Sequence, residues 1–374
     1  MTRYQRQILL PEIGKLGQEK LKASRLLIVG VGGLGSPAAL YLALAGVGRV
    51  GLVDFDQVDL SNLHRQILYR EEDVGKPKLQ IAKEKLNALN PQTQVDLYET
   101  KLTAQNALDI LKNYDVILDG TDNFQTRLLV NDACFFLKKP NVYGSIFKFE
   151  GQLSVFDTRE GSLTRGPCYR CLYPEPPAQS LIPNCAEAGV LGVLPGIVGT
   201  LQATEALKLL LGIGKSLVGK LLFFDTLSMK FNEMQFQKRR DCQLCGETPT
   251  IVSLGSVSLG IQGGICMSES NDISVFELKK RLDSGEALFL LDVRESHEYQ
   301  LVHLQGSTLI PLKSLRERLQ ELDPQKEMIV YCHHGGRSAQ ACQVLKEKGF
   351  QKVKNLEGGI DAWASQIDPL LPRY

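Results

Sequence analysis

From residue 25 onward the chain alternates short apolar runs with longer segments of helical period. Leu26-Leu-Ile-Val29, Arg49-Val-Gly-Leu-Val-Asp54 and Tyr114-Asp-Val-Ile-Leu-Asp119 are near-continuous apolar runs of strand length, the pattern of strands buried on both faces. Between them, Ser36-Pro37 opens an apolar helix that stops at Gly46, with Ser as the expected N-cap and Pro as the first helical residue. Residues 77–89 read as a second helix, stopped by Asn90-Pro91. This βαβ alternation predicts a mostly parallel sheet with helices on both faces. Runs at 151–156, 221–224 and 229–237 lack crossover helices of suitable length, so part of the sheet is expected to be antiparallel or mixed. Residues 250–271 are rich in Ser and Gly and read as a linker. A fresh α/β pattern follows over 272–374, with strands at 288–293 and 328–331 and helices at 314–322 and 338–348. The expected fold class is α/β: a doubly wound, Rossmann-like mixed sheet over residues 1–249 and a separate small α/β domain.

With 374 residues the chain has ample material for two or three domains, and a formal net charge of +1 excludes a global basic field for nucleic acid. Residues 26–48 carry no charge and are long enough to span a bilayer, but six glycines and a proline fit a strand–turn–helix better than a membrane helix. Nine cysteines without an apolar export segment point to a cytoplasmic chain that uses thiols for metal or chemistry.

Gly30-Val-Gly-Gly-Leu-Gly35 leaves a strand and opens a helix. Its glycines, Gly30, Gly32, Gly33 and Gly35, allow a tight turn and bring backbone N–H groups to a phosphate at the positive end of a helix dipole. Asp54 ends the next strand, where an acid commonly holds ribose hydroxyls. To this point a dehydrogenase and an ATP user fit equally. Asp56, Ser61-Asn-Leu-His-Arg-Gln66, Lys76, Lys78 and Thr121-Asp-Asn123 shift the balance. Cations at the C-terminal ends of parallel strands offset triphosphate charge, and a carboxylate there holds Mg²⁺. Taken singly, Arg65 and Lys78 are equally consistent with solvated surface charges.

Together Arg3-Tyr-Gln-Arg-Gln7, the glycine loop, Asp54-Phe-Asp56, Ser61-Asn-Leu-His-Arg-Gln66 and Gly120-Thr-Asp-Asn123 resemble the ubiquitin-activating-enzyme superfamily, most closely its MoeB/ThiF branch. That branch adenylates the C-terminal glycine of small ubiquitin-like sulfur-carrier proteins that end in Gly-Gly. The resemblance implies that Gly33, Asp54, Asn62, Arg65, Lys78, Asp122 and Asn123 bind ATP, with Asp56, Ser61, Leu63 and His64 in the same motifs and Asp122 on Mg²⁺. It also implies a homodimer in which Arg6 reaches the phosphates of the partner subunit.

Cys168-Tyr-Arg-Cys171 and Cys242-Gln-Leu-Cys245 are two C-x-x-C pairs, each able to offer two thiolates to one tetrahedral Zn²⁺. A closed four-thiolate site would be structural. Redox pairs are the competing reading, disfavoured because two matched pairs arise by chance less often than one. The MoeB resemblance implies the same zinc. Cys185 lies in a Pro-rich stretch that reads as a loop; an acyl or disulfide acceptor and an incidental small residue fit it equally, and the resemblance implies a functional thiol there. Cys134, Cys266 and Cys342 sit in no motif.

Cys332-His-His-Gly-Gly-Arg-Ser338 follows a strand and leads into a helix, so backbone N–H groups, the helix dipole and Arg337 would stabilise a Cys332 thiolate. The loop resembles the rhodanese active site, supported by Leu291-Asp-Val-Arg294, Glu298-Tyr, His303-Leu-Gln-Gly306 and Gly358-Gly359. A Cys-based phosphatase places five residues between Cys and Arg; here there are four, a smaller ring suited to a terminal sulfur. Asp292 and Arg294 are expected to form a buried structural pair, and His333 and His334 to shape the loop. The domain order matches the fused adenylyltransferase/sulfurtransferase type of molybdenum-cofactor synthesis, with Cys332 loaded by a cysteine desulfurase or thiosulfate. Two other classes remain: an NAD-dependent oxidoreductase with a regulatory rhodanese domain, and a non-catalytic zinc scaffold that binds a ubiquitin-like partner.

Overall fold

A computed structural model describes residues 3–159, 166–174, 189–254 and 272–372. The described residues divide into two compact units, 3–254 and 272–372.

The first unit is built on an eight-stranded sheet. Its strands are β1 (Arg25–Val29), β2 (Arg49–Asp54), β3 (Gln94–Glu99), β4 (Val116–Asp119), β5 (Asn141–Phe147), β6 (Glu150–Phe156), β7 (Lys220–Asp225) and β8 (Lys230–Gln235), in the order β3-β2-β1-β4-β5-β6-β7-β8. The five strands from β3 to β5 are parallel, and β5 to β8 pair antiparallel, as the missing crossover helices required. β1 is apolar from Leu26 to Val29 because both its faces are covered there. Leu26 and Ile28 join the cluster holding residues of α1 (Gly35–Leu44), α2 (Lys78–Leu89) and α4 (Leu194–Leu211). Leu27 and Val29 join the cluster formed with α3 (Phe124–Leu137) and the short helix Ala107–Leu111.

Register decides where the site lies. Val29 pairs with Val53 on one side and Asp119 on the other, so the loops after β1, β2 and β4 leave the same edge of the sheet. The chain order reverses about β1 there, and doubly wound folds open their ligand crevice at this place. Some details differ from the sequence reading. α1 begins at Gly35 with Leu34 before it, and the Ser36 hydroxyl donates to the Val31 carbonyl at 3.2 Å instead of capping the helix. Residues 314–322 form the 3₁₀ turns Leu312–Glu317 and Leu319–Glu321 instead of an α-helix.

The second unit is a five-stranded parallel sheet of β9 (Asp272–Ile273), β10 (Phe289–Asp292), β11 (Thr308–Leu309), β12 (Met328–Tyr331) and β13 (Val353–Leu356), ordered β11-β10-β12-β13-β9. Alternate residues again face two cores. Leu291, Val330 and Cys332 pack towards α5 (Gly336–Glu347), and Leu290, Ile329 and Tyr331 towards α6 (Gly359–Gln366). Among the described residues no helix is long and apolar enough to cross a membrane.

Candidate active sites

The first site forms around three close backbone approaches. Gly30 leaves β1 at φ +87°, where an L side chain is strained. A Cβ on Gly35 would lie 2.0 Å from the Gly30 carbonyl oxygen, and one on Gly120 would lie 2.8 Å from it. The glycine loop is therefore wound tightly between β1 and α1 and pressed against the loop after β4. Asp54 is buried and clamps this arrangement. Its Oδ2 accepts from Val31 N at 2.7 Å, and its Oδ1 accepts from Phe55 N and Asp56 N at 2.8 and 2.9 Å. Tyr69 donates to the Val31 carbonyl at 2.8 Å; burial, with Asp54 and Asp56 nearby, pushes its phenol up and keeps it a donor.

Basic groups line the next loop. Lys78 begins α2 with 4 % exposure and pairs with Asp56 at 2.8 Å. Arg65 is half-buried; its Nη1 donates to the Ser61 carbonyl at 2.8 Å, and its stem lies beside Gly33. Ser61 is held by Asp59, Asn62 ends the 3₁₀ turn Leu60–Asn62, Leu63 packs on the core, and His64 Nδ1 lies 3.0 Å from the Ser61 carbonyl. Gly32 faces the Gln66 amide. Asp122 and Asn123 are exposed after β4, and Asn123 also caps α3 by accepting from Thr126 N at 2.9 Å. Arg6 is exposed on the short helix Gln5–Ile8. Cys185 and Cys266 lie outside the described residues.

Beneath this surface is a polar layer that sequence reasoning missed. Asp119 is fully buried and accepts from Thr121 N and Oγ1 at 3.0 and 2.6 Å; burial raises its carboxyl against the opposing pull of Arg127 and Thr121. Arg127 is buried on α3, donates to the Thr121 carbonyl at 3.0 Å and lies 5.5 Å from the centroid of the Tyr143 ring. Gln202 on α4 donates to the carbonyls of Asp119 and Val142 at 2.7 and 3.1 Å. These side chains fix the Gly120-Thr121-Asp122 loop from below, and no local motif announces them.

The four paired cysteines converge as expected. Sγ–Sγ distances are 3.9 Å for Cys168–Cys171, 3.6 Å for Cys168–Cys242 and 3.3 Å for Cys171–Cys245, and all four residues are buried. Thiolates about 2.3 Å from one zinc ion lie ~3.8 Å apart along a tetrahedral edge, so the set fits Zn²⁺. The first pair is tied to α3. Arg170 forms a buried bidentate pair with Asp132 at 2.9 and 2.7 Å, and Tyr169 N donates to Asn131 at 2.7 Å. Cys134 and Cys342 are buried in α3 and α5, where burial pushes both thiols up, to about 12 for Cys342; inert packing roles suit them.

In the second unit Cys332 follows β12 at the base of the 332–338 loop. Its Sγ accepts from Gly335 N at 3.2 Å and the Ser338 hydroxyl at 3.4 Å. Gly335, at φ +94°, turns the loop into α5. Arg337 is engaged away from the sulfur, in a bidentate pair with Glu298 at 2.6 and 2.7 Å. Ser338 and Gly335, unassigned from sequence, are thus the nearest donors to the sulfur. Cys332 has 0 % exposure in this loop conformation. Asp292 and Arg294 form the expected buried pair at 2.6 Å. His333 and His334 stack with ring centroids 3.9 Å apart. Burial, then His334, lowers His333 to about 4, so it is neutral at pH 7.

Residues 4–245 match the ThiF family, and residues 274–366 match the rhodanese-like domain. The chain belongs to the ThiF family. One full-length relative of this ThiF protein is the Mycobacterium tuberculosis protein named "Probable adenylyltransferase/sulfurtransferase MoeZ", 44 % identical over 382 residues, which cover all of this chain and 95 % of that one. A "Sulfur carrier protein adenylyltransferase" of Thermus thermophilus is 53 % identical over 252 residues, 67 % of this chain and 92 % of that one. Among solved structures, E. coli MccB with ATP superposes with a TM-score of 0.57 at 22 % identity, over 65 % of this chain and 74 % of that chain, a likeness of fold. This ThiF-family chain, with its C-terminal rhodanese-like domain, is an adenylyltransferase and sulfurtransferase, which sets aside the oxidoreductase and scaffold alternatives.

Proposed function

We propose that the chain uses ATP to activate the C-terminal glycine of a small ubiquitin-like sulfur carrier ending in Gly-Gly, and then converts that carboxylate to a thiocarboxylate. The observation that carries this reading is the presence in one chain of two complete halves: a glycine loop clamped by Asp54 beside Arg65 and Lys78, and a loop thiol at Cys332. A carboxylate is a poor electrophile. Adenylation attaches it to a good leaving group, and the enzyme's contribution is alignment and charge stabilisation. The N–H groups of the Gly30–Gly35 loop, Asn62, Arg65 and Lys78 bind the nucleotide phosphates, Asp54 orients the ribose, and Asp122 and Asn123 face the reacting end. Mg²⁺ held at Asp122 would offset phosphate charge. Arg6 acts across a homodimer.

The sulfur step then proceeds on the chain's own thiols. A cysteine desulfurase or thiosulfate leaves a persulfide on Cys332. Its terminal sulfur attacks the acyl carbon and expels AMP, forming an acyl disulfide. The Cys185 thiolate attacks Cys332 Sγ, the S–S bond to the acyl sulfur breaks, and the thiocarboxylate leaves. The resulting Cys185–Cys332 disulfide is reduced by an external thiol. Residues 250–271 link the adenylating and sulfur-carrying domains and raise their effective concentration. Molybdenum-cofactor synthesis in the cytoplasm is the process this product suits. The test is to incubate the protein with ATP, thiosulfate and a Gly-Gly-ended carrier and to weigh the carrier. Replacement of one oxygen by sulfur is expected, and Cys332→Ala should keep carrier-dependent ATP–pyrophosphate exchange while losing that replacement. Normal sulfur transfer by Cys332→Ala would overturn the reading.

A further inference from the structure

Besides the four thiols, one other group of metal-ligating side chains gathers among the described residues. The donor atoms of His333, His334 and Asp361 lie within 4.8 Å of one another. Two come from the loop that carries Cys332, the third from the first turn of α6. Backbone contacts hold the two segments beside each other. Ile360 N donates to the Cys332 carbonyl at 2.9 Å and Asp361 N to the His333 carbonyl at 3.0 Å. A Cβ on Gly359 would lie 2.3–2.4 Å from the same two carbonyl oxygens, so only glycine permits the contact. His334 Nδ1 is 3.8 Å from the Asp361 carboxylate.

An acid in a first helical turn is stabilised by the helix dipole, which alone accounts for Asp361. It does not account for two imidazoles gathered on that carboxylate. We propose that His333, His334 and Asp361 form a second metal site, one that takes a divalent ion of the zinc type and bridges the Cys332 loop to α6. Two imidazoles and a carboxylate suit such an ion, and three protein ligands leave a fourth position open. Because Cys332 is covered in this loop conformation, an ion that ties the loop to α6 holds it shut and slows sulfur loading. That consequence, unlike the site itself, rests on the role proposed for Cys332.

The site is tested on the full-length protein with its four-thiolate site already filled, titrated at pH 7 with Zn²⁺ alone and read by calorimetry and elemental analysis. A second equivalent is expected, lost in His334→Ala and in Asp361→Asn while the first is retained. His334 is on the surface, so His334→Ala decides the matter if Asp361→Asn fails to fold. Absence of a second equivalent, or its retention in the folded variants, overturns the site. Thiosulfate sulfur transfer is measured in parallel. Zn²⁺ should slow it several-fold in the unmodified protein, reversibly with chelator, and leave both variants unaffected. A second equivalent without slowing upholds the site and overturns the gating. Slowing that persists in both variants places the inhibiting ion elsewhere than this site and overturns the gating.

Discussion

The Asp292–Arg294 pair is the sharpest single-residue commitment in the rhodanese-like unit. Both side chains have 0 % exposure. The guanidinium donates to both carboxylate oxygens and, at 2.7 Å, to the Val302 carbonyl. A buried charge left without its partner is far more costly than the intact pair is favourable. Asp292→Ala strands Arg294 in that position and should lower unfolding stability by about 3–5 kcal/mol. Asp292→Asn preserves an acceptor and should cost less. The chain's one tryptophan, Trp363, is buried in the same unit with Leu290 and Tyr331, so its fluorescence in urea reports this domain. An unmoved midpoint in Asp292→Ala would show that the pair adds nothing to stability. Cys332, one strand away, should behave differently: Cys332→Ala removes chemistry and leaves the Trp363 transition nearly unchanged.

Among the elements, α3 does two things at once. Asn123 caps its N-terminus, and Asp132, Asn131 and Arg127 along its length hold the first cysteine pair and the loop after β4. Loss of the cap typically costs about 1 kcal/mol. Asn123→Ala should destabilise the first unit by that amount, whereas Asn123→Asp keeps the cap and the stability but adds a negative charge at the proposed nucleotide site, so ATP–pyrophosphate exchange should fall. Equal exchange in Asn123→Asp and the unmodified protein would leave Asn123 a cap and nothing more. What was legible from sequence follows the same division between local and distant contacts. The β1–glycine loop–α1 unit, the two C-x-x-C pairs and the Cys332 loop are written in consecutive residues, so their geometry could be read directly. β3 was missed because its pattern on an edge strand is mixed, and the 3₁₀ turns after Pro311 share the helical pattern expected of 314–322. Gln202 could not be read as a support of the site. It is one of several polar residues in a mostly apolar helix, and its partners Asp119 and Val142 are 83 and 60 positions away.

At the scale of the whole molecule, the four-thiolate cluster and the crevice at the ends of β1, β2 and β4 belong to one compact unit, and the Cys332 loop belongs to another. The cysteine pairs are separated by 74 positions, and one pair is clamped to α3 through Arg170 and Asp132. A metal ion there would close a long loop and brace the helix whose first turn presents Asn123. Structural zinc contributes about 10–16 kcal/mol to small peptide folds. In this larger unit, with its own hydrophobic core, the share should be several kcal/mol. Cys242→Ser is therefore expected to lose bound zinc, to shift the first of two circular-dichroism unfolding transitions to lower denaturant, and to reduce adenylation. Trp363 fluorescence and thiosulfate sulfur transfer should not change, because Trp363 and Cys332 lie in the other compact unit. If the Trp363 transition moved with zinc loss, the two units would be coupled, and sulfur loading could no longer be treated as a step independent of carrier activation.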